Sequence, residues 1–227
     1  MVAENYRKVL EKISSAALRA GRDPGSITLV VVTKTWPVEK ILEAIEAGAG
    51  ILGENYVQEA LPKIEAIGNK AEWHFIGHLQ SNKAKLVVNR FSMIESVDSI
   101  SLAKELNKLA EKDNTQVDVL VEVNLEGEET KSGVMPEEVG KLLKEISFYE
   151  RIKVKGLMTI PPLFSTPEDS RPYFKRLSGL REDLLNMNIP NISLDHLSMG
   201  MSGDFEVAIE EGATIVRVGT AIFGERK

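Results

Sequence analysis

The sequence contains no cysteine among its 227 residues and no long apolar run. Without thiols the chain forms no disulfide, offers no thiolate to a metal and has no cysteine nucleophile. Its apolar runs are far shorter than the roughly 20 residues that span a bilayer. Residues 1–21 alternate charged and apolar side chains at helical spacing and lack the apolar core of a signal peptide. We therefore expect an N-terminal helix, no membrane span and a cytoplasmic protein.

Positive charge is also in deficit, since 28 Lys and Arg residues stand against 34 Asp and Glu, giving a net charge of -6. A chain of this charge, with a pI near 5.3, is a poor match for nucleic acid, and we expect no such partner. A small molecule is the expected ligand. The length suits one α/β domain, so we assign residues 1–227 to a single domain.

Eight short apolar runs recur along the chain, with helical patterns between them. They cover residues 27–34, 50–54, 73–77, 92–96, 117–125, 154–160, 192–198 and 214–218. Continuous apolar runs are typical of parallel strands buried on both faces. The pattern predicts a single (β/α)8 barrel with an extra N-terminal helix, and a doubly wound open sheet is the alternative.

Local signals mark where the helices of these units begin and end. Pro37, Pro136 and Pro167 stand at predicted helix starts, because proline is favoured in the first turn of a helix. Segments 46–52 and 211–216 resemble one another, each being a helix end, a glycine and a strand. They predict the same unit at two places in the barrel.

Lys34 ends the first apolar run and stands where a buried strand opens into a loop. Apolar surroundings disfavour an ammonium ion, so an amine there is easier to deprotonate and can attack an aldehyde to form a Schiff base. The alternative interpretation is a lysine at a strand end whose ammonium reaches solvent. In a barrel, catalytic and binding groups lie at the carboxyl ends of the strands, as Lys34 would.

The loops after the seventh and eighth strands are rich in small residues. These residues are Ser198, Gly200, Ser202, Gly219 and Thr220. The same two loops commonly bind phosphate in barrels of this type, where backbone N–H groups approach the anion. Tight turns are the other explanation for the glycines.

Arg217 lies inside the apolar run 214–218, where a guanidinium needs an acceptor. A carboxylate from a neighbouring strand and a ligand atom are both candidates. An amine, a phosphate site and a buried arginine together match the aldehyde, phosphate and ring nitrogen of pyridoxal 5'-phosphate (PLP).

The sequence resembles a known family, the pyridoxal phosphate homeostasis proteins, which are related to the barrel half of alanine racemase. The resemblance covers nearly the whole chain and rests on the segments 33–35, 53–59, 74–83, 131–133, 156–158, 197–202 and 216–224. It implies that Lys34 holds PLP as a Schiff base and that Arg217 faces the pyridine nitrogen. It further implies a phosphate site and two ring neighbours. The phosphate residues would be Ser198, Gly219 and Thr220, and the ring neighbours Asn55 and Met158.

The resemblance implies a carrier that stores, buffers and delivers PLP and other B6 vitamers, with apo forms of PLP-dependent enzymes as partners. An arginine at the ring nitrogen disfavours its protonation and weakens the cofactor as an electron sink. Related racemases take a tyrosine from an additional β domain, and we expect none here. We therefore assign no catalytic residue. We also expect a monomer, since the aromatic residues indicate no clear interface. A PLP-dependent racemase and a Schiff-base aldolase acting on a phosphosugar are the alternatives.

Two other signals concern a metal and a loop. His74 and His78 have a spacing compatible with a metal site, but no third ligand is evident, so we predict structural hydrogen bonds and no metal. Lys131 lies in an acidic loop after the fifth strand, which should overhang the site. We hypothesise that Lys131 assists release of the aldehyde, with a solvated loop as the alternative.

Overall fold

The protein folds as a closed barrel of eight parallel strands that neighbour one another in chain order, as a computed structural model describes for residues 1–127, 132–162 and 164–225. The strands are β1 (Thr28–Val32), β2 (Ile51–Glu54), β3 (Glu72–Phe75), β4 (Met93–Val97), β5 (Val117–Glu122), β6 (Ile152–Met158), β7 (Ile192–Ser198) and β8 (Ile215–Val218). Parallel pairing of β1 with β8 closes the ring. The predicted (β/α)8 barrel is confirmed, and the open sheet is excluded.

Helices surround the barrel, and an extra one precedes β1 as predicted. They are α1 (Val2–Arg19), α2 (Val38–Glu46), α3 (Val57–Ile67), α4 (Ile100–Lys112), α5 (Pro136–Ile146), α6 (Arg171–Leu185), α7 (Phe205–Glu210) and α8 (Thr220–Phe223). On α5, the apolar stripe formed by Val139, Leu142, Leu143 and Ile146 is buried. Within the described residues, every helix is too short or too polar to cross a membrane.

Apolar side chains form two groups. The larger group fills the space between the strands and the helices. A smaller group lies inside the barrel, and its buried members are Val30, Met93, Leu120, Met158 and Ile215. Because side chains alternate along a strand, the residue two positions further along also points inwards. The inner group therefore forms a floor beneath the carboxyl ends of the strands, where the site was expected.

Two connections differ from the expectation of one α-helix per unit. Between β3 and β4 the chain forms a 3₁₀-helix, Ser81–Leu86. Ser81 and Asn82 favour turns over helix interiors, because their side chains compete for backbone hydrogen bonds. Pro167 begins a 3₁₀-turn that ends at Ser170, and α6 starts only after it. Pro136, in contrast, is the first residue of α5, and Pro37 immediately precedes α2.

The two similar segments form the same turn. Gly48 has a φ of 113° and Gly212 a φ of 101°, values that glycine adopts without steric cost. The N–H of Ala49 donates to Ala44 O at 3.0 Å, and the N–H of Ala213 donates to Ala208 O at 2.9 Å. The repeat read from the sequence is therefore a shared way of ending a helix before the next strand.

Candidate functional site

A cavity of about 350 Å³ opens at the carboxyl ends of the strands. Five of the seven residues predicted to bind the cofactor line it, namely Lys34, Asn55, Arg217, Gly219 and Thr220. They come from loops and strand ends that are far apart in the sequence. The structure thus brings most of the predicted site to one concave surface.

Lys34 is half-buried in the turn that connects β1 to α2. The residue before it, Thr33, is fully buried, and its hydroxyl donates to Glu54 Oε1 at 2.7 Å. The residue after it, Thr35, has a φ of 68°, in the left-handed region that β-branched residues avoid. The amine is therefore carried by a turn whose two flanking residues are conformationally constrained.

Asn55 follows β2 and presents its side chain to the same cavity. Its Oδ1 is buried and has no hydrogen-bond partner. The backbone of Asn55 packs directly against Gly77, where a Cβ would come within 2.3 Å of the Asn55 carbonyl oxygen. Glycine at position 77 is thus required for this approach. An unpartnered buried carboxamide oxygen at a cavity wall is suited to accept a hydrogen bond from a ligand.

Arg217 is almost fully buried and belongs to a network inside the barrel. Its Nη1 donates to Ser198 Oγ at 2.5 Å and lies 3.8 Å from Glu95 Oε2, while its Nη2 donates to Thr159 O at 2.8 Å. Burial lowers the pKa of the guanidinium, and the negative charge of Glu95 opposes that effect. Arginine stays protonated in such a setting. A carboxylate partner is present, but it comes from β4 across the barrel and not from a strand adjacent to β8 as expected.

Glu95 provides the negative charge of that network, although it is completely buried. Burial alone would raise its pKa, but His74, Arg217 and Ser198 together outweigh burial and lower it. His74 Nδ1 lies 2.6 Å from Glu95 Oε1, and Ser198 Oγ donates to Oε2 at 2.5 Å. The carboxylate therefore compensates the charge of Arg217 and is linked to it through the shared Ser198 hydroxyl. Sequence reasoning did not identify Glu95, although a charged residue inside the apolar run 92–96 is the same signal that singled out Arg217.

Ser198 and Met158 are the two predicted site residues that do not line the cavity. Both are completely buried. The Ser198 hydroxyl is engaged by Glu95 and Arg217, and Met158 belongs to the apolar floor. Direct contact of either residue with a ligand stays a prediction.

Ser202 faces the cavity beside Gly219 and Thr220. Its Oγ accepts the N–H of Gly219 at 3.3 Å and that of Ala221 at 3.2 Å, so both amides point to one spot. A Cβ at position 219 would lie 3.1 Å from Val32 O, tighter than ordinary contacts, so glycine lets this loop approach β1. The sequence marked Ser202 as a small residue in a candidate phosphate loop, but not as a member of the final set.

The wall formed by the segments after β6 and β7 contains residues that were not in the predicted set of binding residues. It includes Ile160, Pro162, Phe164, Ser165, Thr166, Pro167 and Ser170 from the segment after β6, and Met201, Gly203 and Asp204 after β7. The two parts are joined by the Ser170 hydroxyl, which donates to Asp204 Oδ2 at 2.9 Å. Three prolines after β6 were the available signal, since they keep that segment out of a helix.

A neighbouring cavity of about 280 Å³ shares Ile160 with the first and contains Glu122. Burial, followed by the nearby charge of Asp98, raises the pKa of Glu122 to about 7. Its Oε2 is buried and has no hydrogen-bond partner. A carboxyl group of this kind exchanges a proton near neutral pH and is a candidate acid or base.

The two histidines singled out in the sequence have carboxylate neighbours. His74 contacts Glu95, and His78 Nδ1 lies 3.4 Å from Asp98. The described residues contain no group of three or more His, Cys, Asp or Glu side chains able to hold a metal. Lys131 lies outside the described residues, so its hypothesised role stays a prediction.

Comparisons with known proteins place this chain among relatives of nearly the same length. Residues 5–227 match the family model for the alanine racemase N-terminal domain. A pyridoxal phosphate homeostasis protein from Aquifex aeolicus is 51% identical over 225 residues, covering 99% of this chain and 98% of the relative.

Two solved structures have similar folds. A protein from Bifidobacterium adolescentis is 39% identical with a TM-score of 0.92, covering 98% of this chain and 94% of its own. PipY of Synechococcus elongatus, solved with PLP bound, is 35% identical with a TM-score of 0.84, covering 99% of this chain and all of its own. The chain therefore belongs to the family of the alanine racemase N-terminal domain and, within it, to the pyridoxal phosphate homeostasis proteins.

Proposed function

We propose that the protein binds PLP in the cavity at the carboxyl ends of the strands and stores, buffers and delivers it within the cell. The main support is the meeting of Lys34, Asn55, Arg217, Gly219 and Thr220 at one surface. Its volume of about 350 Å³ lies in the usual range of small-molecule sites. The relatives named for pyridoxal phosphate homeostasis, and PipY with PLP bound, support the same ligand.

The residues present suit the three reactive parts of PLP. Lys34 offers an amine for the aldehyde, and Arg217 offers a fixed cation for the ring nitrogen. The N–H groups of Gly219 and Ala221 hold the Ser202 oxygen, so the Ser202 hydroxyl can donate to a phosphate oxygen, as can the Thr220 hydroxyl. The unpartnered Oδ1 of Asn55 supplies a further acceptor beside the ring. We therefore add Ser202 to the predicted set.

In this proposal Lys34 is the point of attachment. Its neutral amine condenses with the aldehyde carbon, forming a carbon–nitrogen double bond and releasing one water molecule. When bound, PLP supplies a ring that can act as an electron sink for amino-acid chemistry.

Arg217 restrains that chemistry. Its guanidinium has no acceptor atom and is held by Ser198 and Thr159, so it cannot accept a hydrogen bond from a protonated ring nitrogen and therefore disfavours protonation there. An unprotonated ring is a weaker electron sink. We therefore propose that holding and handing over the cofactor, without robust turnover, is the function of this site.

An amino-acid racemase-like activity is the second candidate. Glu122, whose raised pKa is about 7, is the observation that favours it, because proton abstraction needs a group that titrates near neutral pH. Exchange of the α-hydrogen of amino acids with deuterium at an enzymatic rate would support this alternative. Loss of such exchange in Glu122→Gln would assign the proton transfer to that carboxyl.

We also propose that the protein is a cytoplasmic monomer that passes PLP and other B6 vitamers to apo forms of PLP-dependent enzymes. Size-exclusion chromatography with light scattering tests the monomer. Transfer to an apo-enzyme is tested by the recovery of its activity, with free PLP as the reference. Lys131→Ala should slow this transfer if that residue assists release.

The first experiment incubates the purified protein with PLP, records the visible spectrum, reduces with borohydride and maps the added mass. We expect a visible band and modification at Lys34, both absent in Lys34→Ala. Lys40→Ala is the matched control, since Lys40 is an exposed lysine on α2. The absence of a band and of an adduct in the wild-type protein would refute PLP binding and also leave the aldolase alternative open.

A further inference from the structure

Lys63 is a buried charged residue that the proposed function does not use. It lies on α3 and is only 6% exposed. Its Nζ donates to Thr33 O at 2.8 Å, to Glu54 Oε1 at 2.7 Å and to Glu59 Oε1 at 2.6 Å. An ammonium group has three donors, so all of its hydrogen-bonding capacity is used.

The acceptors of Lys63 flank the residues that line the cavity. Thr33 immediately precedes Lys34, and Glu54 immediately precedes Asn55. The same oxygen of Glu59 that contacts Lys63 also accepts the N–H of Thr35, the residue after Lys34. One ammonium group thereby ties both sides of the Lys34 turn to α3 and to the end of β2.

This arrangement places Thr35 in an unfavourable backbone conformation and Glu54 in an unfavourable buried environment. Thr35 is held at a φ of 68°, which an isolated turn with a β-branched residue would rarely adopt. Burial raises the pKa of Glu54, while the hydrogen bonds from Lys63 and Thr33 oppose that rise. The other oxygen of Glu54 is buried without a partner. Buried ion pairs contribute little net stability compared with apolar side chains, so a gain in conformational specificity is the more direct explanation of this one.

We infer that Lys63, with Glu54 and Glu59, is a positioning residue that orients Lys34 for attachment of the aldehyde. The inference rests on the proposed function, because Lys34 is the attachment point there. Lys63 itself does not line the cavity, so it acts through the turn and not by contact with the ligand.

The test compares Lys63→Met with Lys40→Met, which removes an exposed ammonium paired with Glu43 on α2. PLP affinity is measured from the visible band. We expect Lys63→Met to weaken binding at least about tenfold, since small misplacements of a reacting group have effects of this size, and Lys40→Met to leave it unchanged. The same pair of substitutions is then made in Lys34→Ala, with PLP binding followed by calorimetry. In the Lys34→Ala background, Lys63→Met should weaken PLP binding by less than about threefold, because the amine that Lys63 orients is absent.

Glu59→Ala covers the case in which Lys63→Met does not fold. The Glu59 side chain is 28% exposed, so its removal leaves no large buried gap, yet it breaks the contacts to Lys63 and to Thr35. We expect a weakening of PLP binding of at least about threefold with little change in the unfolding temperature. Equal affinity of Glu59→Ala and wild type would overturn the inference.

A readout without PLP separates this inference from the proposed function. Limited acetylation followed by peptide mapping measures the reactivity of Lys34 relative to the exposed lysines. We expect that ratio to change at least about threefold in Lys63→Met and not in Lys40→Met. Equal ratios in all three proteins would overturn the positioning role. Failure of the wild-type protein to take up PLP would instead overturn the proposed function.

Discussion

Two layers of side chains fill the barrel, and they differ in chemistry although the same strands carry them. The lower layer is the apolar floor that includes Met93, Leu120 and Ile215. Two residues further along, the same three strands carry Glu95, Glu122 and Arg217. A step of two residues along each strand therefore leads from a packed apolar core to a buried network of charges. The floor gains free energy from burial, whereas the upper layer loses hydration and depends on its own pairing.

This difference indicates which of the two layers tolerates substitution. Apolar floor residues can be exchanged for others of similar volume with modest cost. The charged layer has no such tolerance, because removing one member leaves another buried without compensation. Substitutions in the two layers should therefore separate stability from ligand binding.

The largest effect is expected from Glu95→Ala. This change leaves the buried Arg217 without its carboxylate and His74 without its partner, so the free energy of unfolding should fall by about 3 to 5 kcal/mol. Urea denaturation measures it. A loss below about 1 kcal/mol would show that the pair adds little to the fold.

Two further variants sharpen that result. Leu120→Ala in the floor should also destabilise, by about 2 to 5 kcal/mol, while leaving PLP affinity per folded molecule nearly unchanged. Replacing the pair as Glu95→Leu with Arg217→Met should recover much of the stability and still abolish tight PLP binding. Equal effects of all variants on affinity would contradict a division of roles between the layers.

An intermediate, pH-dependent effect is expected from Glu122→Gln. The folded pKa of Glu122, about 7, exceeds the ordinary value of 4.5, so the folded state favours the protonated carboxyl. The stability that this preference contributes is fully present below about pH 4.5 and is lost as the pH rises through 7. It amounts to at most about 3 kcal/mol.

The measurement compares denaturation of the two proteins from pH 4 to pH 8. Glutamine has no proton to lose, so the variant should gain stability relative to wild type as the pH rises, by about 2 to 3 kcal/mol in total. Parallel curves would show that Glu122 does not titrate with a raised pKa.

The smallest effect is expected from Met158→Leu. Met158 is completely buried in the floor, and leucine conserves most of its volume, so the cost should stay below about 1.5 kcal/mol. PLP affinity should remain within about twofold, since Met158 does not line the cavity. A decrease in PLP affinity of tenfold or more would support the sequence-based prediction that Met158 is a neighbour of the PLP ring.

Much of the fold could be predicted because its signals are local. Eight apolar runs correspond to the eight strands, and the glycine turns at Gly48 and Gly212 are confirmed. The connection between β3 and β4 departs from the general pattern of an α-helix between strands, because Ser81–Leu86 is a short 3₁₀-helix whose sequence contains residues that favour turns.

The candidate site was predictable where a residue stands at the end of a strand. Lys34, Asn55, Gly219 and Thr220 all satisfy this condition, and all line the cavity. Ser198 satisfies it too, yet its hydroxyl points to Glu95 and Arg217 within the barrel. Position in the chain therefore identified which end of the barrel a residue occupies, but not whether its side chain reaches the cavity.

The sequence by itself determined the number of strands and the position of Lys34 at the end of the first one, because apolar periodicity and strand ends are encoded by neighbouring residues. Closure of the barrel was decided by the tertiary structure, through the pairing of β1 with β8. Only the tertiary structure decided that Arg217 pairs with Glu95 and that Lys63 holds the turn around Lys34. The physical reason is that such contacts join elements distant in the chain, and their geometry depends on strand register and helix packing, which no local pattern specifies.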